Sequence, residues 1–380
     1  MRGEASGQRV RGRILLCTGA IAVCLVAAEL FLALVAPQVH RLPDVWTHDP
    51  GLGWVHQPDA EGRLVTPEFD VAYRIDAAGR RQHGSGESPG GVHLQLYGDS
   101  FAEGWGVDVE DGLAAQLEAR LHFSRGVATT NYGTAGYGTD QAMLLFERVG
   151  SALSPDVVLL LFYANDLWNN VSRRGMGARR GAKPFFRPSG GALQLMGTPI
   201  PEPAPRTPSL RQFLGERLHL WALAHRALAT ERPLPLAQMR QFYGGLYGRD
   251  QASYRSVWEL TERLLGEFAR LCRQNGAEFV LVYAPAIVQI EADGWRTKRD
   301  LHDLTGDYDL SHPGRQLQAI SNRQKIPLVD LTPVFAAAAA QQTLYFRDSH
   351  WNEAGHRLAA ETVAEALARL RIAALSGRDG

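Results

Sequence analysis

The first strong pattern in the chain is an unbroken apolar run, "ILLCTGAIAVCLVAAELFLALVA", from Ile14 to Ala36, with Glu29 its one charge. About 20 residues at 1.5 Å each cross a bilayer's hydrocarbon, so the run predicts a transmembrane anchor over 14–36 behind a cytoplasmic N-terminus, 1–13. Residues 37–91 then carry two short alternating runs, "GLGWVHQPDAEGRLV" and "EFDVAYRIDAAGRR", which predict a β-rich lead-in ending in the turn-rich "HGSGESPGG". From residue 92 to 372 strand and helix patterns alternate. Apolar runs at Val92–Tyr97, "GVATTNYG", "DVVLLLFYAND", "AEFVLVYAP" and "IPLVDLTP" predict strands. Helical spacing appears in "EDGLAAQLEARL", "TDQAMLLFERVGSAL", "SVWELTERLLGEFARLCRQNG" (with Gly276 as C-cap) and "EAGHRLAAETVAEALARL". The unbroken "DVVLLLF" suits a strand covered on both faces. Such alternation implies right-handed crossovers and a three-layer α/β/α sandwich around a mainly parallel sheet.

Residues 171–250 interrupt this rhythm. They show no strand pattern, begin with Arg173, Arg174, Arg179, Arg180, Lys183 and Arg187, and hold seven prolines between Pro184 and Pro208. "SLRQFLGERLHLWALAHRAL" predicts one amphipathic helix with Leu214, Leu218, Trp221 and Leu228 near one face. Two readings of this insertion stand: a lid over the sheet's edge, or a solvated loop.

Composition narrows the picture. With 380 residues, 45% hydrophobic, there is ample material for a large core, and 40 basic against 40 acidic residues give no global field for nucleic acid. Cys17 and Cys24 lie in the apolar run, leaving Cys272 alone, so no disulfide framework or zinc spacing is expected, and neither metal nor cofactor. Arg2, Arg9, Arg11 and Arg13 precede the anchor and place the remaining chain outside the cytoplasm. A cleaved signal peptide is the competing reading, through "VAA" at Val26–Ala28, but the apolar run continues past it. A lipoprotein site at Cys24 is disfavoured by the bulky Val23. Glu29 reads as tolerated near the interface.

The chemistry converges where strands end. "LQLYGDSFAEGWG" runs from a strand into a tight turn at Gly98-Asp99-Ser100, where Ser100 reads as either a helix cap or a nucleophile. "NYGTAGYGTDQ" is a glycine-rich loop whose N–H groups suit an oxyanion. "FYANDLWNN" sets Asn165 beyond the third strand. "FRDSHWNEAGH" sets Asp348 and His350 before the last helix; in an extended segment residues two apart share a side, so Asp348 would orient the His350 ring toward a serine. All four arrive at the carboxyl edge of the sheet, where ligands bind in open α/β folds. His356 competes with His350 as base, and an Asp348–His350–His356 metal site is a weaker reading. Trp105 and Trp168 are pocket walls or core residues, and Asp99 braces the turn. Asp166, Asn169 and Asn170 have no role beyond positioning loops. A second serine pattern, "GESPG", is rejected because Pro89 has no N–H to give an oxyanion beside Ser88.

"YGDSF", "NYGTAG", "YAND" and "DSHWN" resemble, in order, the four signature blocks of the SGNH, or GDSL, hydrolase superfamily, over roughly 92–170 and 277–372. The resemblance implies a flavodoxin-like sheet, Ser100 as nucleophile, His350 as general base, Asp348 as its orienting acid, and an oxyanion hole from Ser100 N–H, Gly136 N–H and the Asn165 amide. The lead-in and "GYGTDQ" are similar to membrane-anchored bacterial members. Two departures stand out: only Ser349 separates Asp348 from His350, where the usual block has two residues, and Ala164 replaces a usual glycine. The Asp-x-His-Trp spacing is also similar to polysaccharide O-acetyltransferases of the SGNH type, although there the pair precedes the serine. The expected function is an inner-membrane, single-pass esterase with its catalytic domain in the periplasm, acting on acyl esters of envelope glycans or lipids. The alternatives are an O-acyltransferase to a polysaccharide hydroxyl and a silent binding or scaffold domain.

Overall fold

A computed structural model describes residues 2–81, 91–121, 126–175, 181–204, 207–228, 236–249 and 252–370. Ser88, Arg179, Arg180 and nearly all of "HGSGESPGG" lie outside the described residues. Helix α1 is Arg2–Val35. Strands β1 (Trp46–Asp49) and β2 (Gly53–His56) form an antiparallel pair, and β3 (Glu61–Val65) and β4 (Asp70–Arg74) another two-stranded sheet. Then come β5 (Val92–Gly98), α2 (Ser100–Glu103), α3 (Leu113–Arg120), β6 (Val127–Asn131), α4 (Thr139–Leu145), β7 (Val157–Phe162) and α5 (Ala164–Asn169). The insertion carries β8 (Phe185–Ser189), β9 (Ala192–Met196), α6 (Leu210–Gly215), α7 (His219–Leu228) and α8 (Leu236–Tyr247). The chain closes with α9 (Arg255–Gln274), β10 (Glu278–Tyr283), α10 (Ile287–Ile290), α11 (Ala292–Leu301), α12 (His312–Gln324), β11 (Leu328–Asp330), α13 (Thr332–Ala338) and α14 (Glu353–Arg369).

These elements form two compact units: 1–42, 63–70 and 205–232 make one, and 43–62, 71–204 and 233–380 the other. The larger unit is built on a five-stranded sheet in the order β6-β5-β7-β10-β11 with parallel pairing. Numbered within the sheet this is 2-1-3-4-5, the flavodoxin-like order, whose switch point lies between β5 and β7. Strand β7 shows why the apolar run is unbroken. Val157, Leu159 and Leu161 enter one core with α3, α13 and α14, while Val158, Leu160 and Phe162 enter the other with α4, α9 and α12. All six are at most 1% exposed.

The end of the lead-in is packed within this unit. Arg81 is buried and donates to the carbonyls of Glu103, Gly104 (2.5 Å) and Val107 (2.6 Å), just after α2, while its guanidinium lies over Tyr73.

The insertion departs from expectation in two ways. A hairpin, β8–β9, occupies part of it; Gly190 (φ 57°) and Gly191 (φ 88°) supply the two positive-φ residues of a tight turn. Pro188 and the glycines disguise two five-residue strands as loop. The single predicted helix is two, α6 and α7, and both belong to the smaller unit together with α1.

Candidate active site

The nucleophile turn is set by backbone geometry. β5 ends at Gly98, whose φ is 148° and where a Cβ would lie 2.7 Å from the Leu161 carbonyl, so no larger residue fits. Asp99, not Ser100, caps α2: its carboxylate accepts from the Phe101 N–H at 2.9 Å. Ser100 is therefore free of capping, 8% exposed, and its Oγ lies 2.8 Å from His350 Nε2.

His350 is presented by a turn rather than by the extended segment the sequence suggested. Tyr345 and Trp351 form a bridge, the Ser349 N–H donates to the Phe346 carbonyl, and Ser349 adopts a left-handed φ of 77°. The left-handed residue lets an Asp–His pair with one residue between them converge. Asp348 Oδ1 accepts the His350 backbone N–H at 3.0 Å, and Asp348 Oδ2 lies 3.0 Å from the ring Nδ1. The Nδ1–Oδ2 contact is close but not aligned as a hydrogen bond. Burial alone would raise the Asp348 carboxyl. The His350 ring and N–H, with the Trp105 indole, outweigh it and hold the carboxyl below its ordinary range.

Trp105 has a larger part than the sequence indicated. Its Nε1–H donates to Asp348 Oδ2 at 3.1 Å while its ring stacks on His350, centroids 5.4 Å apart at 28°. Phe101 packs on the other neighbours of that ring, with centroids 5.1 Å from both His350 and Trp351.

The oxyanion-hole candidates lie on loops bound to the same turn. Asn165 Nδ2 donates to Asp99 Oδ2 at 2.7 Å, next to the nucleophile. Burial raises the Asp99 carboxyl against the donors of Phe101 and Asn165. The Gly136 loop is drawn in by Thr134, whose N–H donates to the Gly98 carbonyl at 3.0 Å. Gly133 makes this approach possible, since a Cβ there would sit 2.2 Å from the Glu103 nitrogen. Asn169 Nδ2 donates to the carbonyls of Gly136 (3.3 Å) and Tyr137 (3.2 Å), and Trp54 Nε1 to that of Ala135 (3.1 Å). Asp166 closes the first turn of α5 by accepting the Tyr163 N–H at 2.8 Å, and Asn170 bridges Thr139 and Thr261. Trp168 is half-buried, with its ring edge-on to that of Phe242.

Two residues singled out in the sequence, His356 and Lys183, take other places. His356 is 1% exposed inside α14, edge-on to Trp351, and burial beside Arg81 lowers its pKa to about 3, so it stays neutral and out of reach as base. Lys183 does not belong to a solvated basic run: it is fully buried, paired with Asp140 and donating to the Asn169 carbonyl at 3.0 Å. Among the described residues no group of three or more His, Cys, Asp or Glu is placed to hold a metal ion.

Residues 247–379, which include Asp348 and His350, match the family described as the SGNH hydrolase-like domain of the acetyltransferase AlgX. Over that stretch the chain is similar to the SGNH hydrolase-like domain. Solved structures similar to this chain include a G-D-S-L lipolytic protein from Veillonella parvula, at 16% identity over 73% of this chain and 98% of that one, TM-score 0.38. An acetylxylan esterase from Geobacillus stearothermophilus is similar at 14% identity over 73% and 95%, TM-score 0.39. An α/β hydrolase from the metagenome of Lake Arreo, Spain, shares 16% identity over 73% and 95%, TM-score 0.39. No curated protein matches the sequence.

Proposed function

We propose that this chain performs acyl-ester chemistry through an acyl-enzyme on Ser100, held at the outer side of a bacterial inner membrane by α1. The observation that carries the reading is the 2.8 Å contact between Ser100 Oγ and His350 Nε2, with Asp348 on the far side of the ring. Ser100 Oγ attacks the ester carbonyl as its proton passes to Nε2. The imidazolium so formed is stabilised by Asp348. The N–H groups of Ser100 and Gly136 and the second N–H of Asn165 Nδ2 receive the oxyanion, Asp99 holding the first. His350 then returns the proton to the departing alcohol, leaving the acyl group on Ser100. The basic residues at the start of α1, ahead of its apolar run, support a cytoplasmic N-terminus.

Hydrolysis and transfer share these steps and differ in what attacks the acyl-enzyme. Transfer to a polysaccharide hydroxyl is supported by the match to the AlgX acetyltransferase domain. The test uses the full-length chain in detergent: p-nitrophenyl acetate turnover and fluorophosphonate labelling for the native protein and Ser100→Ala. Activity and labelling confined to the native protein are expected, and adding oligosaccharide acceptors then partitions product between acylated sugar and free acid. Equal labelling of both proteins would reject Ser100, and silence of both would favour a binding domain.

A further inference from the structure

The smaller unit poses a problem that the active site does not answer. Helices α6 and α7 bury no residue, and with the link between them they display Leu210, Phe213, Leu218, Trp221, Leu223 and Leu228, from 39% to 84% exposed. We propose that α6–α7 is a second membrane-contacting element, lying in the interfacial layer of the bilayer beside α1 with these side chains in lipid. This rests on the reading of α1 as a bilayer span.

Helix α1 supplies the argument for the occupant. Its segment Arg11–Val35 is long and apolar enough to cross a membrane and has no buried residue. Glu29, the one charge of the 14–36 run, is not left bare: its two carboxylate oxygens accept the backbone N–H groups of His219 (2.6 Å) and Leu220 (2.8 Å). These are the first two residues of α7, so an anionic side chain meets unsatisfied donors at the positive end of a helix. The polypeptide leaving α1 completes the clamp, because the Gln38 N–H donates to His219 Nδ1 (2.8 Å) and Arg226 donates to the Gln38 carbonyl (3.0 Å).

Depth follows from this attachment. Glu29 lies seven residues before Ala36, about 10 Å along a helix axis at 1.5 Å per residue. Amphipathic helices in the interface sink about 5–10 Å below the headgroup boundary. The start of α7 is thus pinned where such a helix rests. Its composition agrees: Arg211, Arg217 and Arg226 against Glu216 give a basic polar side, and Trp221 is a residue type favoured at membrane interfaces. An intramembrane carboxylate that caps a second helix also explains why the charge in α1 is sustainable.

The experiment places a nitroxide on single cysteines in the full-length chain, with Cys17, Cys24 and Cys272 replaced, reconstituted in phosphatidylethanolamine/phosphatidylglycerol vesicles. Phe213→Cys and Trp221→Cys report on the proposed surface, Leu30→Cys on α1, and Arg263→Cys on an exposed position of the larger unit. Collision with oxygen should exceed collision with a water-soluble nickel chelate at 213 and 221, as at 30, with the reverse at 263. Nickel-dominated collision at 213 and 221 while 30 stays in lipid would overturn the proposal and leave the anchor intact. Shielding of 213 and 221 from both reagents would also overturn it, pointing to a protein cover. Nickel-dominated collision at 30 would remove the anchor reading and this one with it.

Discussion

Asp348→Asn asks whether an aspartate one residue from its histidine still assists catalysis. Asn retains an oxygen to accept the His350 backbone N–H that closes the turn, so the substitution changes charge more than shape. Unit charges separated by 3.0 Å attract by about 1.4 kcal/mol in bulk water and about 5.5 kcal/mol at an effective dielectric constant near 20. The Asp348 side chain is 36% exposed and that of His350 22%. Solvent therefore screens the pair, and the misaligned Nδ1–Oδ2 contact adds little directional bonding. An intermediate value of about 2–3 kcal/mol for the imidazolium of the transition state follows. At about 1.36 kcal/mol per tenfold, kcat/KM falls about 30–150-fold. Because the charge acts on the developing imidazolium, the loss should appear in kcat with KM little changed. Steady-state turnover of p-nitrophenyl acetate by the full-length protein in detergent measures both. A loss below about fivefold would show that Asp348 does not act on His350, and a loss near the roughly 10⁴-fold typical of a buried triad aspartate would show that the pair is far drier than its exposure implies. Either result refutes the reasoning.

Other positions give sharper contrasts. Asn165→Ala should lower kcat by about 10²–10³ with little change in KM, the cost of one oxyanion donor; an unchanged kcat would remove Asn165 from the hole. Lys183→Met leaves the buried Asp140 carboxyl without its partner, and urea unfolding should record a loss of about 3–5 kcal/mol. Arg187→Ala, at an exposed position, should change stability by less than about 0.5 kcal/mol. Equal effects would contradict the burial of Lys183. His356, with its pKa lowered from the ordinary histidine value to about 3, binds its proton more readily in the unfolded chain. Stability should therefore fall as pH drops from about 6.5 towards 3, by up to about 1.4 kcal/mol per pH unit. His356→Gln should flatten that slope in urea midpoints, and an unchanged slope would assign it to other groups.

The blocks of Ser100, Gly136 and Asn165 were legible because they follow β5, β6 and β7, and a 2-1-3-4-5 sheet brings those strand ends to one edge, whereas Asp348 and His350 lie beyond α13 on the turn before α14. The unbroken run of β7 and the amphipathic α9 likewise declare their burial in sequence. The insertion was less legible, since Pro188 and Gly190-Gly191 break a period-2 pattern already only five residues long on each side. Lys183 is a clearer case still. In sequence it belongs to a basic run, and only Asp140, 43 residues earlier, explains why it is inside.

The same reasoning locates what local pattern misses at the active site. Trp105 is 243 residues from Asp348 in sequence, yet its indole N–H and ring hold both members of the acid–base pair. Asn169 was legible only as a neighbour of the third block, although it ties the Gly136 loop to α5. The Asp–His spacing, anomalous when read as an extended segment, is reconciled by one left-handed residue, Ser349. A non-glycine residue in that conformation is strained, and its partners over-determine it: the Ser349 N–H is bound to Phe346, the Phe346 N–H to the His350 carbonyl, and the His350 N–H to Asp348. The hydrogen-bonded turn thus replaces the extra residue of the usual block and points His350 Nε2 at Ser100. A short spacing in sequence and a convergent pair in space are compatible because the turn, and not strand periodicity, sets the direction of the imidazole.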